Sequence, residues 1–228
     1  MAIATLISKF LGLFRQLAIA AAFGTDSAAN AYAYAYIVPG FLLILLGGIN
    51  GPFHSAMVSS LTKRKKKESA PLVETMTTLV GTVLLGVTLI VIIIAPQLIS
   101  LVGPDLSADV KLIATEQLRI MAPMGLFAGL IGIGFGTLNA ANLYWLPSIS
   151  PLFSSTALLI SLGAFVLYMG DADPSSTNYM IVGGTVLAWG TLAGAAIQWL
   201  VQAIVQWKSG LGSFRLRFNW KQPGVWDV

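Results

Sequence analysis

The chain has 228 residues, of which 13 are Lys or Arg, nine are Asp or Glu, one is His and none is Cys. Apolar residues make up 56% and charged residues only 10% of the chain, whereas soluble domains contain about 25% charged residues. This composition excludes an ordinary water-soluble enzyme, a disordered chain and a disulfide scaffold. It indicates a polytopic membrane protein, because so few charges cannot cover a water-exposed surface.

Six stretches are long and apolar enough to form membrane-spanning helices, which need about 20 residues each. In chain order they cover residues 2–23, 31–61, 72–94, 107–138, 146–169 and 179–207. The second stretch is interrupted by Gly47, Gly48 and Gly51. We therefore predict an all-α fold, with six transmembrane helices in residues 1–207 and a cytoplasmic or interfacial linker over residues 208–228.

The distribution of charge between the loops predicts the orientation of the chain. Nine cations follow the second or the sixth span, namely Lys63, Arg64, Lys65, Lys66, Lys67, Lys208, Arg215, Arg217 and Lys221. The loops after the first, third and fifth spans contain no Lys or Arg, and their charged residues are all acidic, namely Asp26, Asp105, Asp171 and Asp173. Six spans place all nine cations on one side, which the positive-inside rule assigns to the cytoplasm together with both termini. The net charge of +4 is then a topological signal and not a sign of nucleic-acid binding, although a lipid-headgroup site on the basic loop is a second interpretation.

The first span contains two cations where a lipid-facing helix would have none. Lys9 and Arg15 each cost roughly 2.5–3.5 kcal/mol near the centre of a membrane. At helical spacing they belong to one polar wedge, formed by Thr5, Ser8, Lys9, Gly12, Arg15 and Gln16. The wedge could line an anion-binding cavity, lie on the membrane surface as an amphipathic helix, or reflect a signal peptide or a structural ion pair. The planar guanidinium of Arg15 matches phosphate oxygens, which favours the cavity.

Proline and glycine residues mark places where the spans could bend. Broken helices in membranes line cavities or act as hinges. The candidate hinge or gating residues are Pro39, Gly47, Gly48, Gly51 and Pro123. The further glycines of the fourth span, Gly125, Gly129, Gly132, Gly134 and Gly136, predict close packing of this helix against its neighbours.

Other polar residues recur at helical spacing within the spans. Asn50 and His54 share one face after the glycine break, and Glu116 and Arg119 are spaced to form an ion pair. A stripe that must face protein or a cavity is formed by Gln198, Gln202 and Gln206, and packing or interfacial positions are expected for Tyr32, Tyr34 and Tyr36. No nucleotide-binding loop, catalytic triad or metal-binding motif is present in the sequence. We expect no enzymatic activity, no cofactor and no metal.

A series of short motifs resembles the MurJ/MviN lipid II flippases. The motifs are residues 8–15 (SKFLGLFR), 22–24 (AFG), 30–32 (NAY), 50–56 (NGPFHSA) and 136–139 (GTLN), together with Pro39, Pro147 and Pro151. The resemblance implies two six-helix lobes around a central cavity, which flip a lipid-linked peptidoglycan precursor to the outer leaflet by alternating access. It implies that this chain is the N-terminal lobe, works with a missing C-terminal lobe and contacts membrane lipids. The implied location is the bacterial inner membrane, and the implied process is peptidoglycan and cell wall biogenesis, which sets cell shape.

The resemblance also implies which residues bind the substrate. Arg15 stands at the position of a cavity arginine of the family, and Lys9 stands where another arginine is usual. Asn30 replaces a usual aspartate, and Asn50 replaces a common glutamate. The candidate substrate-binding residues are Ser8, Lys9, Arg15, Gln16, Asn30 and Asn50, with Lys9 and Arg15 attracting the diphosphate.

Several alternatives remain open at the level of the sequence. The family commonly has asparagine at position 40 and two arginines at 43 and 44, where this chain has Gly40, Leu43 and Ile44. The cationic cavity is therefore thinner than in many members. An exporter of another polysaccharide lipid carrier or of drugs is one alternative, and a non-functional fragment or membrane scaffold is another. The positive charge of the first span favours an anionic substrate over the cationic substrates of drug exporters.

Overall fold

A computed structural model describes residues 2–24, 27–48, 51–64, 66–170, 172–173, 176–212 and 214–225. This part of the chain contains nine α-helices and no strand. The helices are α1 (Ala2–Phe23), α2 (Ser27–Gly47), α3 (Pro52–Leu61), α4 (Lys66–Ile93), α5 (Ala95–Val102), α6 (Ala108–Met121), α7 (Met124–Ala140), α8 (Trp145–Met169) and α9 (Thr177–Lys208). They supply six candidate spans, because α2 with α3 and α6 with α7 each form one span. The predicted all-α fold with six spans is confirmed.

Local sequence signals explain where several helices begin. The hydroxyl of Ser107 accepts a hydrogen bond from the backbone N–H of Val110 at the start of α6. Ser176 caps α9 in the same way, accepting from the N–H of Tyr179 at 3.3 Å. These side chains satisfy N–H groups that have no partner within the helix. Pro52 begins α3, where the missing N–H of proline costs nothing.

The helix α7 lies at the centre of the bundle. Helices α2, α3, α4 and α9 all pack against it, α8 packs on α9, and α1 packs mainly on α8. Gly132 and Gly136 allow this close packing, because a Cβ on Gly132 would collide with the carbonyl oxygen of Leu46. A Cβ on Gly136 would lie 2.7 Å from the carbonyl oxygen of His54. The predicted role of the glycines in the fourth span is thus confirmed for α7.

Long-range hydrogen bonds define the two ends of the bundle. Arg64 Nη1 donates to the carbonyl oxygen of Pro223 at 2.7 Å, so the basic loop before α4 meets the chain after α9. We call this the basic end. At the opposite end the Tyr179 hydroxyl donates to the carbonyl oxygen of Ala22 at 3.1 Å, joining the start of α9 to the end of α1. The two most basic segments of the sequence therefore lie together on one side of the spans.

The predicted break in the second span lies where the glycines are. The helix α2 continues through Pro39, which is buried, and ends at Gly47, which packs directly on the backbone of α7. Gly51 precedes the first residue of α3, and its N–H donates to the carbonyl oxygen of Gly48 at 2.9 Å. Pro123 lies at the junction between α6 and α7. Movement at these five residues remains a prediction.

The chain after α9 packs back onto α4. We call residues 209–212 and 214–225 the C-terminal segment. The side-chain Nε of Arg217 lies 3.6 Å from Glu74 Oε2, and the backbone N–H of Arg217 donates to Thr78 Oγ1 at 3.0 Å. Val225 is buried in an apolar cluster formed by α3, α4 and α7. The predicted linker is therefore in contact with the six-helix bundle along much of its length.

The ion pair between Glu74 and Arg217 should contribute modestly to the stability of this contact. The Glu74 side chain is 9% exposed but that of Arg217 is 42% exposed, so solvent screens the pair. We expect a coupling free energy of about 0.5–1 kcal/mol in a double-mutant cycle with Glu74→Gln and Arg217→Gln. Thermal unfolding in detergent measures it. Lys221→Gln, which neutralises an exposed cation of the same segment, is the control; additive effects of the first two substitutions would contradict the pairing.

Candidate functional site

The polar wedge of α1 lies at the boundary between a packed face and an exposed face. The packed face, which meets α8, consists of Ser8, Leu11, Gly12, Arg15, Ala18, Ile19, Ala22 and Phe23. The Ser8 hydroxyl donates to the carbonyl oxygen of Ser148 in α8 at 3.3 Å. The opposite face is exposed and apolar, with Phe10 at 72% exposure and Leu6 at 69%. The wedge therefore lies in a helix that is packed on one side only.

Arg15 is half-buried on the packed face of α1. Its Nε is buried and has no hydrogen-bond partner among the described residues. A buried N–H without an acceptor is costly, because the group loses its hydrogen bonds to water. No oxygen among the described residues accepts from this N–H, which is therefore available to an anion or a water molecule.

The other candidate substrate-binding residues are more exposed than Arg15. Lys9 and Gln16 are exposed at the open edge of the wedge, and Lys9 lies roughly 9 Å from Arg15 along the helix axis. Asn30 is exposed near the start of α2, at the opposite end from the basic loop. Asn50 lies outside the described residues. The structure thus groups Ser8, Lys9, Arg15 and Gln16 on one helix, and the substrate-binding role of all these residues remains a prediction.

Tyr32 joins α2 to α9 through a contact that the sequence did not indicate. Its hydroxyl lies 2.8 Å from Thr191 Oγ1 of α9, and its ring stacks on that of Tyr36 with centroids 5.7 Å apart. Tyr32 is buried, which agrees with the packing role expected for the tyrosines. The partners Tyr32 and Thr191 are 159 residues apart, so no local pattern could reveal the contact.

Removing the Tyr32 hydroxyl should weaken the attachment of α2 to α9. We expect Tyr32→Phe to destabilise the protein by about 1 kcal/mol, the usual net contribution of one hydrogen bond. The matched control is Tyr34→Phe, because the Tyr34 side chain forms no hydrogen bond with the described residues. Melting temperatures in detergent compare the two variants, and equal losses would contradict the anchoring role of Tyr32.

Two predicted polar interactions are confirmed away from the wedge. Arg119 Nη1 lies 2.6 Å from Glu116 Oε1, as the spacing of three residues predicted. The glutamine stripe faces protein, because the amide nitrogens of Gln198 and Gln202 both donate to Ser150 Oγ, at 3.3 and 3.2 Å. These contacts bind α9 to α8 and give both amide nitrogens an acceptor within the bundle.

His54 has a partner that its sequence neighbours did not suggest. Its Nε2 lies 2.8 Å from the amide nitrogen of Asn139, which joins α3 to α7. The Nδ1 of His54 and the Oδ1 of Asn139 are buried and lack hydrogen-bond partners in the described part of the chain. His54 thus connects two helices in addition to being a polar residue of the second span.

Six apolar spans, one of which contains the glycine-rich helix α7, together with cations inside the first span, define a polytopic helical membrane protein. The family model described as Lipid II flippase MurJ matches residues 19–228. The chain belongs to this family, which confirms the resemblance seen in the short motifs.

Individual relatives extend the similarity to the whole chain. A protein of Synechocystis sp. described as "Probable lipid II flippase MurJ" is 57% identical over 227 residues, which cover 100% of this chain and 42% of the relative. The "Lipid II flippase MurJ" of Thermosipho africanus is 27% identical over 208 residues, covering 90% of this chain and 40% of the relative. The chain therefore spans less than half the length of these relatives.

A solved structure has the same fold. It is described as "Lipid II flippase MurJ, inward closed conformation" and gives a TM-score of 0.70 at 23% sequence identity. The match covers 92% of this chain and 44% of that chain. The likeness supports the six-span arrangement independently of the sequence comparisons.

Proposed function

We propose that this chain is the N-terminal six-helix lobe of a lipid II flippase. The observation that carries the proposal is the 57% identity to the Synechocystis relative over the whole chain, while only 42% of that relative is covered. In this proposal residues 1–207 form the lobe, and residues 208–228 lead to a second lobe of similar size. The substrate is a diphosphate-linked lipid oligosaccharide, moved from the inner to the outer leaflet.

The chemistry of α1 suits an anionic substrate. Arg15 offers a buried N–H that has no acceptor among the described residues, and Lys9 adds a second charge at the exposed edge of the same helix. In a water-poor cavity these groups attract a diphosphate strongly, because the surroundings screen charge less than bulk water does. Ser8, Gln16 and Asn30 would supply polar contacts. A cationic drug would be repelled, which disfavours the drug exporter.

Transport in this proposal involves no covalent step. The two lobes rock around the bound substrate, and the helices bend where their backbone hydrogen bonding is interrupted. Pro39 removes one hydrogen bond within α2, and the glycines 47, 48 and 51 separate α2 from α3. Pro123 separates α6 from α7. The protein is thus a transporter without catalytic residues.

The proposed location is the bacterial inner membrane, with both termini of the chain in the cytoplasm. The contact between Arg64 and Pro223 supports the orientation, because it brings the loop before α4 and the chain after α9 to the same side. Cations near the ends of spans are retained on the cytoplasmic side during insertion. The basic end would therefore face the cytoplasm.

A chimera tests the proposed function. Residues 1–228 replace the matching segment of the Synechocystis relative, and the chimera is expressed in a strain depleted of its own lipid II flippase. We expect growth and lipid II translocation to be restored, because the two segments are 57% identical. The unaltered relative is the positive control. A chimera that inserts into the membrane at the same level but restores neither would favour the non-functional scaffold.

A further inference from the structure

A groove separates α4 from α9 on the outside of the bundle. Both helices pack against α7 but hardly touch each other, so a gap of about 340 Å³ remains between them. The C-terminal segment crosses one end of the gap with Phe214, Arg215 and Leu216. Phe214 is fixed there by edge-to-face contacts with Trp199 and Trp207, at centroid distances of 6.4 and 6.2 Å.

The groove has a polar end and an apolar end. Thr77, Gln206 and Arg215 line it toward the basic end, and Leu85 lines it from the membrane side. Leu85 lies eight residues beyond Thr77 in α4, which is roughly 12 Å farther along the helix axis. The wall between them includes Leu130 of α7 and is mainly apolar, because the threonine hydroxyls of α4 that also line it donate to backbone carbonyl oxygens within the helix. A groove with one polar end and an apolar wall is complementary to a molecule with a polar head and an apolar tail.

Three of the polar side chains at this end have no partner among the described residues. The side chains of Thr77, Gln206 and Arg215 form no hydrogen bond or ion pair within the described part of the chain. Arg215 differs in this respect from Arg217, two residues further on, which pairs with Glu74. An unpaired guanidinium beside two uncharged donors favours an anionic oxygen ligand such as phosphate.

We propose that this groove binds an anionic phospholipid of the surrounding membrane. One acyl chain lies against the apolar wall of α4, α7 and α9, and the headgroup phosphate accepts hydrogen bonds from Arg215 and Gln206. Charge complementarity selects the anionic headgroup, because Lys208 at the end of α9 adds a further cation at the basic end. The site is separate from the wedge of α1 and does not depend on the proposed transport function.

Native mass spectrometry of the protein in detergent tests the site. The probes are phosphatidylglycerol and phosphatidylcholine with the same acyl chains, and inorganic phosphate is added as a competitor. We expect phosphatidylglycerol to be retained preferentially and phosphate not to displace it, because the acyl chain holds the lipid in the groove. Equal retention of the two lipids, or displacement by phosphate, would overturn the proposal.

Matched variants locate the binding in the groove. Arg215→Ala should weaken phosphatidylglycerol binding about fivefold, the size expected for one cation near an anionic lipid, whereas Lys221→Ala should leave it unchanged. Gly81→Leu fills the groove, since a Cβ on Gly81 meets only Leu130 and Leu126, at 3.6 and 3.9 Å. Gly86→Leu in the same helix has no atom within 4 Å of the added Cβ and is the control for folding.

The paired glycine variants give the decisive comparison. We expect Gly81→Leu to lose lipid retention while its melting temperature stays close to that of Gly86→Leu. Retention by Gly81→Leu at the level of Gly86→Leu would show that the lipid binds elsewhere and would overturn the proposal, as would unchanged binding in Arg215→Ala.

Discussion

Replacing Arg15 by Ala should abolish lipid II translocation without reducing the amount of protein in the membrane. Arg15 is half-buried, and its Nε has no acceptor among the described residues, so its removal breaks no hydrogen bond or ion pair there. The alanine side chain also removes the free-energy cost of placing a charged group within the span. The loss should therefore appear in transport and not in stability. Growth of a flippase-depleted strain carrying the chimera measures it.

One further substitution separates the charge of Arg15 from the geometry of its guanidinium, and a second substitution at another arginine is the control. Arg15→Lys keeps the charge but loses the planar donor pair, so we expect partial function. Arg119→Ala is the matched control, because the partner of Arg119 among the described residues is the exposed Glu116, one turn away in α6, so that Arg119 should be dispensable. Full growth with a well-expressed Arg15→Ala protein would refute the role of Arg15 in holding the diphosphate.

Substituting Gly132 by Leu should cause the largest loss of stability among the single changes considered. A Cβ at this position collides with the backbone carbonyl oxygen of Leu46, which cannot rotate away as a side chain would. The helix α7 must then move away from α2, and the close contacts along both helices are lost. We expect a destabilisation of at least about 3 kcal/mol, at the upper end of the range for overpacked cores. The melting temperature and the fraction of monodisperse protein in detergent report it.

Gly163→Leu is the matched control for the same change in residue size. Gly163 lies in α8, and an added Cβ would meet no atom within 4 Å. A leucine there also removes the conformational freedom of glycine, so stability should be unchanged or slightly higher. Comparable losses in Gly132→Leu and Gly163→Leu would mean that side-chain size, and not the contact of α7 with α2, decides the outcome.

The spans of the bundle differ in how tightly their neighbours pack against them. Helix α7 is enclosed by four neighbours, whereas α1 contacts mainly α8 and exposes its other face. The residues of α1 can therefore change with little effect on the fold, while those of α7 cannot. Helix α1, at the edge of the bundle, can therefore hold cations without loosening the core around α7.

Composition and the pattern of apolar residues determined the class and the number of spans. A bilayer allows only helices or closed barrels to cross it, and apolar stretches of this length fit helices. The loop charges likewise predicted that residues 63–67 and the chain after α9 lie on one side, which agrees with the contact between Arg64 and Pro223. Local spacing was also enough for the pair Glu116 and Arg119, because residues three positions apart are neighbours on the surface of a helix.

Only the tertiary structure decided which distant residues meet. Tyr32 and Thr191 are 159 residues apart, and His54 and Asn139 are 85 apart, so no periodicity links them. The polar wedge was visible in the sequence, but its division into a packed edge with Arg15 and an open edge with Lys9 depends on where α8 lies. The groove between α4 and α9 exists because both helices pack on α7 and leave a gap. Periodicity fixes the faces of each helix, whereas the choice of neighbour depends on side-chain shape summed over the whole bundle.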